Sequence, residues 1–336
     1  MTAFEIGLAV QTDKPPGRYG ELAAAAEVLG FDVVSVFADL LYQPPLPALL
    51  EMARATSRVR LGAACQNPFT QHPYEIAGGL AVLDTVSSGR AYLGLARGAW
   101  LDAIGLVPSR PLAGLRDAAA IVRALLAGDS RGYNGAVYRL APGVRLRGGL
   151  PLRAVGMPPL LLGAWGPRGA ALAGEIADEI KVGGSANPAV AALIRERVRA
   201  EALACGRPLD AVRVVLGAVT VVDRDGAAAR RRARTEVAKY LAVVADLDAT
   251  VSLPPGLAER VRELVVAGSD SAAGALIPDS VLDLFAFSGT PEHVAELARR
   301  VLDAGAGRVD FGGPHRPTDF GGVELLGREV LPLLRR

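Results

Sequence analysis

Leu160-Leu161-Leu162-Gly163-Ala164-Trp165-Gly166-Pro167 opens the stretch that decides the fold. An amphipathic run to Ile176 follows, and then Glu179-Ile180-Lys181-Val182. A short apolar strand, a helix and a second short strand read as one crossover unit. Two parallel strands cannot be joined by a tight turn, so the helix between them is the connection. Working outward from this unit, the same alternation fills the chain. Strands are expected over 4–10, 33–37, 59–65, 91–96, 160–164, 179–182, 212–222 and 308–311. Helices are expected over 18–29, 46–55, 73–86, 111–126, 167–176, 188–204, 227–245, 291–304 and 323–334. Gly30 after the first helix is the residue type that accepts a left-handed helix end. The turn-rich stretch 129–159 holds at most a hairpin near 133–140, and 246–279 reads as an insertion.

Eight strand–helix units predict an α/β fold of the (β/α)8 TIM-barrel type, built as a single domain over 1–336 with that insertion. A doubly wound open sheet is the alternative, and it needs fewer units. The insertion, with Pro254-Pro255-Gly256 and glycines at 268 and 274, is either a solvent-facing excursion or a lid over the barrel mouth.

The 336 residues are 51% hydrophobic and 21% charged, and mean hydropathy is +0.29. That composition excludes a disordered chain. Two cysteines, Cys65 and Cys205, exclude a disulfide scaffold. Basic and acidic residues number 37 and 35, too balanced for a nucleic-acid surface. The arginine run 230–234 reads as a solvated helix face. No apolar run spans a bilayer, and the first ten residues lack a signal-peptide pattern. The expectation is a cytoplasmic protein with no nucleic-acid or membrane partner. His72, His293 and His315 are scattered, and neither cysteine has a CxxC partner, so no metal site is expected.

Barrel active sites gather where strands end at their C-termini. The candidates are then Gln11, Thr12 and Asp13; Asp39 and Tyr42; Cys65, Gln66 and Asn67; Arg97, Gly98 and Trp100; Trp165, Gly166 and Arg168; Gly183 to Ser185; and Gly312, Gly313 and His315. The Gly163–Pro167 loop opens a helix, where free amides can hold a phosphate, although proline there is also ordinary helix-start chemistry.

Several of these pieces together resemble the luciferase-like flavin and deazaflavin oxidoreductases, and within them the F420-dependent methylenetetrahydromethanopterin reductases. They are Val36-Phe37-Ala38-Asp39, Leu61 to Pro68, Leu83 to Arg90, Gly163 to Pro167 with Ala173 to Asp178, and Phe287 to Glu292. The resemblance implies a bacterial-luciferase-like barrel, usually assembled as a homodimer or larger homo-oligomer. It implies coenzyme F420, with FMN as the alternative, and a small-molecule substrate. It maps a non-prolyl cis peptide, against which the tricyclic ring lies, onto Ala64-Cys65, with Gln66 and Asn67 beside it. Asp39 takes a polar contact to the ring. Gly163, Ala164, Trp165, Gly166 and Pro167 hold the phosphate or ribityl chain. Asp84 and Arg90 match a structural signature. Arg97-Gly98 resembles a flavin-phosphate arginine and equally suits the anionic tail of F420. Tyr42 and Trp100 would wall the substrate pocket.

Reductases of this type place acids where this chain has Ala9 and Ala99, and many relatives place a histidine where it has Leu40. Three readings follow: an F420-dependent oxidoreductase moving hydride to or from a small C=N, C=C or C=O substrate; an FMN-dependent luciferase-like monooxygenase; and a catalytically silent flavin-binding paralogue.

Overall fold

The computed structural model describes residues 4–40, 42–147, 156–315 and 319–336. The first half runs β1 (Glu5–Val10), α1 (Arg18–Leu29), β2 (Val33–Val36), α2 (Pro45–Ala55), β3 (Arg60–Ala63), α3 (Pro73–Ser87), β4 (Leu93–Ala96) and α4 (Pro111–Leu126). A small antiparallel hairpin follows, β5 (Tyr133–Asn134) and β6 (Arg139–Leu140), as the turn pattern predicts. The part of that turn-rich stretch at 148–155 lies outside the described residues. Then come β7 (Leu160–Gly163), α5 (Gly166–Ile176), β8 (Glu179–Gly183), α6 (Pro188–Ala204) and β9 (Arg213–Val222). The helices α7 (Gly226–Ala238), α8 (Leu241–Leu247), α9 (Leu257–Val266), α10 (Asp270–Ala275) and α11 (Asp279–Phe285) lead to β10 (Ala286–Gly289). The chain ends with α12 (Pro291–Asp303), β11 (Arg308–His315), α13 (Asp319–Leu325) and α14 (Leu331–Leu334).

The sheet order is β3-β2-β1-β11-β9-β8-β7-β4, with every pairing on this path parallel. Two isolated bridges, Leu61 to Ala91 and Gln66 to Leu95, join β3 to β4 and bring the eight strands round into a barrel. Between those bridges the β3 side carries one residue more than the β4 side, so its backbone bulges at the top of the seam. The cis peptide Ala64–Cys65 sits in that bulge.

Three expectations need correction. The helix expected over 227–245 is broken into α7 and α8 at Lys239–Tyr240, where the Tyr240 hydroxyl donates to Phe285 O at 2.7 Å. The segment 286–289 is a strand, β10, which pairs with Val219–Val222 of the long β9 beyond the point where β8 stops. The final helix is interrupted by a π-helical turn at Leu326–Val330, just before Pro332, which has no N–H for the regular ladder.

Strand residues alternate sides. Ile6, Leu8, Val34, Leu61, Leu95, Leu160, Ile180, Leu216 and Phe311 face the helices and form the main core. A second apolar cluster joins α7, the insertion helices and the ends of β9 and β10, through Val261, Leu282 and Phe285. The insertion is therefore a packed helical layer. Trp165 packs against both clusters.

The opposite parity faces the lumen. There Val33, Tyr92, Leu161 and Val215 form a small apolar layer. Tyr92 fits because Gly62 faces it: a Cβ at Gly62 would stand 2.6 Å from the ring. The Tyr92 hydroxyl lies 2.7 Å from Ser35 Oγ and 3.0 Å from Gly62 O. Gly62→Ala should therefore destabilise the fold by roughly 1–3 kcal/mol through overpacking, seen as a lowered Tm. Gly183→Ala, where a Cβ meets nothing within 4 Å, should leave Tm unchanged.

Candidate active site

Below the mouth, the lumen is filled with charge instead of the branched aliphatic layers usual in such barrels. Glu179 and Lys181 on β8, and Arg308 and Asp310 on β11, alternate with apolar residues and point inward. Arg308 Nη1 is 2.7 Å from Glu179 Oε2, and its Nε is 2.9 Å from Asp310 Oδ1. Asp310 Oδ2 accepts from Lys181 Nζ at 2.5 Å. At the other end, Arg60 Nη2 bridges Glu179 at 2.8 Å and Glu5 at 2.5 Å, and Arg213 reaches Glu5 at 2.5 Å. The Arg308 guanidinium carbon also lies 5.9 Å from the centre of the Tyr92 ring.

Burial opposes ionisation of Glu179, but Arg308 and Arg60 outweigh it and hold the carboxyl below its ordinary value. Burial likewise opposes ionisation of Asp310, and Arg308 and Lys181 outweigh that too. Gly7 makes room for this chain, because a Cβ there would lie 2.0 Å from Asp310 Oδ1.

The rim above is built of small residues, and at Gly183 it is open. Ala9, Ala96, Gly163, Gly183 and Gly312 take the inward parity at the strand ends. The candidates Asp39, Cys65, Arg97 and Gly163 end β2, β3, β4 and β7, which are neighbours around the barrel. They therefore share one arc of the mouth. Asp39 is solvent-exposed, yet desolvation by the surrounding protein raises its pKa, with Lys181 partly offsetting this. Tyr42 is 40% exposed, donates its N–H to Asp39 O, and feels Asp13 and Asp39, so it flanks the same opening.

Cys65 is half-buried against Gly163, and burial pushes its thiol up to about 12. It is packing surface and not a nucleophile at neutral pH. Gln66 carries the seam, donating its N–H to Gly94 O and accepting from Ala96 N–H. Asn67 is buried. Its Oδ1 accepts from Phe69 N–H at 2.8 Å, and its Nδ2 would lie 2.2 Å from a Cβ on Gly98. Gly98 has φ +80°, so both crowding and backbone require glycine there. Arg97 is exposed and makes no ion pair among the described residues. Trp100, 47% exposed, begins a 3-10 turn over Leu101–Ile104.

Ala164 donates to Lys181 O at 3.1 Å. Trp165 is extended and caps α5 without a side-chain hydrogen bond, so the first amides of α5 after Pro167 are unclaimed by a cap. Gly166 has open space on its Cβ side, and Pro167 is exposed. Among the structural residues, Arg90 donates to carbonyls of Ser87, Val59, Ala53 and Thr56, tying α2, β3 and α3 together. Ala9 is buried, Leu40 half-buried and Ala99 exposed, so none brings an ionisable group to the mouth.

Sequence reasoning missed the lumen chain. Its signal is present as charges two residues apart inside apolar strands, Glu179-x-Lys181 and Arg308-x-Asp310. No cluster of three or more potential metal ligands occurs among the described residues, and no helix among them is long and apolar enough to cross a membrane.

The family profile described as luciferase-like monooxygenase matches residues 1–308. A 5,10-methylenetetrahydromethanopterin reductase of Archaeoglobus fulgidus is 30% identical over 334 residues, covering 96% of this chain and 98% of that one. An F420-dependent glucose-6-phosphate dehydrogenase of Nakamurella multipartita is 28% identical, covering 95% and 93%. The structure of the coenzyme F420-dependent tetrahydromethanopterin reductase of Methanopyrus kandleri superposes with a TM-score of 0.87 at 25% identity, covering 98% and 99%.

Removing one member of a buried ion chain leaves its partners uncompensated. Glu179→Gln should cost about 3–5 kcal/mol in urea unfolding. Glu179 and Asp310 both have folded pKa values below their unfolded ones. Their stabilisation is thus present above the ordinary carboxylate range of about 4 and is lost as pH falls through the depressed folded values. Wild-type stability should fall on that acid limb, and Glu179→Gln should fall less steeply.

Proposed function

Because this chain belongs to the luciferase-like monooxygenase family, we propose that it works as an F420-dependent oxidoreductase, moving a hydride between the deazaflavin and a small organic substrate. The observation that carries this is near-complete alignment, at 30% identity, with a methylenetetrahydromethanopterin reductase. The rim fits such a cofactor. The inward positions at the ends of β1, β4, β7, β8 and β11 are glycine or alanine, and a Cβ at Gly183 or Gly166 would enter open space.

Bound F420 supplies the hydride; the protein supplies position and shelter from water. In this reading the Ala64–Cys65 bulge is the surface on which the ring rests, with Gln66 and Asn67 fixing the backbone beside it. Asp39 meets the polar edge of the ring. The amides of the Gly163–Pro167 loop and the start of α5 hold the phosphate, where the helix dipole favours an anion. Arg97 pairs with the anionic tail, and Gly98 lets the loop turn. Tyr42 and Trp100 form the walls against which substrate lies. The chain works as a homodimer or larger homo-oligomer, a reading supported by exposed Ile104 and Val107 beside the mouth. A cytoplasmic location is supported by the two cysteines being free thiols.

A second reading has support from one residue. Arg97, which makes no ion pair among the described residues, would equally clamp the phosphate of FMN, which would make the protein a luciferase-like monooxygenase. Fluorescence titration of cofactor-free protein with F420 and with FMN decides between them. F420 should bind, and Arg97→Ala should weaken it roughly tenfold, the worth of a charge-assisted hydrogen bond. Binding of FMN alone would overturn the F420 reading.

A further inference from the structure

The charged lumen is not neutral. Among the described residues its linked chain holds four cations, Lys181, Arg308, Arg60 and Arg213, against three carboxylates, Asp310, Glu179 and Glu5. The lower end, at Arg213 and Glu5, is partly open to solvent, which screens it. The upper end is Lys181, only 5% exposed, whose Nζ lies 5.8 Å from the centre of the Phe37 ring. Its Cε is 3.2 Å from the position a Cβ on Gly217 would take, so glycine there leaves the lysine its path through the lumen.

Of the chain's charges, Lys181 is the one whose field reaches both Asp39 and Cys65. Cys65 belongs to the bulge on which, in the reading above, the ring rests. Lys181 sits one inward position below Gly183 on β8, its ammonium held between Asp310 and the Phe37 ring, so it lies beneath the mouth in a region of low dielectric where one charge acts over several ångströms.

We propose that Lys181 is a positioning cation that holds the deazaflavin ring in its anionic form over the barrel. This rests on the F420 reading. The ring carries an ionisable hydroxyl, and its ionisation changes the visible absorption, so the charge can be read without any substrate. Several groups face Lys181. Asp310 and Arg308 come from β11, Asp39 from the end of β2, and Cys65 from the end of β3. Asp39 opposes Lys181 from the mouth, where desolvation raises its pKa, and it is common to every variant compared. Asp310 opposes it directly from within the lumen.

The test is a pH titration of F420 absorption when bound to wild type, Lys181→Met, Asp310→Asn and the double variant, alongside free F420. Bound to wild type, the ring should ionise at lower pH than when free. Lys181→Met should raise that midpoint by about one pH unit, the size expected of one charge at short range. Asp310→Asn, which strips Lys181 of its counter-ion, should lower it. The double variant should raise it by less than Lys181→Met alone, and it guards against a single variant that fails to fold. Opposite signs cannot come from loosened packing, which would move both variants the same way. Midpoints that shift together, or do not shift, overturn the role of Lys181 while leaving F420 binding intact. Failure of wild type to bind F420 overturns the cofactor reading, and this inference with it.

Discussion

A chain of ion pairs inside a closed sheet constrains everything around it. Arg308 is wholly buried, and its charge is tolerable only because Glu179 and Asp310 stand within hydrogen-bond distance. Those side chains are long, and a barrel lumen is narrow. The strands meet the demand with glycines at Gly7, Gly62 and Gly217, each facing a bulky or charged neighbour. The arrangement moves the task of apolar packing outward, onto the faces of the strands that meet the helices. The lumen fixes register by charge complementarity, since a slip of one residue would turn Lys181 and Asp310 into that apolar layer.

The mouth follows from the same parity. Continuing upward from the charged positions, the inward residues become alanine and glycine, so long side chains give way to a rim of small ones. The bulge between the two β3–β4 bridges sets Cys65 Sγ beside Gly163 at that rim. The arc formed by β2, β3, β4 and β7 carries the polar and basic candidates, while the insertion packs near β9 and β10 on the other side.

Much of this was legible before any coordinates. The strand–helix alternation sufficed for the barrel because eight β-branched or apolar segments each precede an amphipathic helix. The Ala64–Cys65 cis bond came from family resemblance, since no local pattern announces it. The break at Lys239–Tyr240 was hidden, because both residues are acceptable in a helix and the interruption comes from a tertiary bond to Phe285 O. β10 was hidden because four residues joined to the edge of a longer strand show no periodicity of their own. Asn67 looked like a ligand-facing amide at a strand end, whereas its side-chain oxygen is taken by Phe69 N–H and its nitrogen packs against Gly98. The lumen charges were overlooked because a charge in a strand is commonly read as solvent-facing, and only closure of the barrel turns that face inward.

The chain contains two tryptophans, and both belong to the mouth. Trp100 starts the turn after β4, and Trp165 lies at the entrance to α5, wedged between the barrel core and the insertion core. The intrinsic emission of this protein is thus an optical reporter of one end of the barrel. Excited selectively, the two indoles report on that end of the barrel, while Tyr92 is the aromatic that lies against the charged lumen.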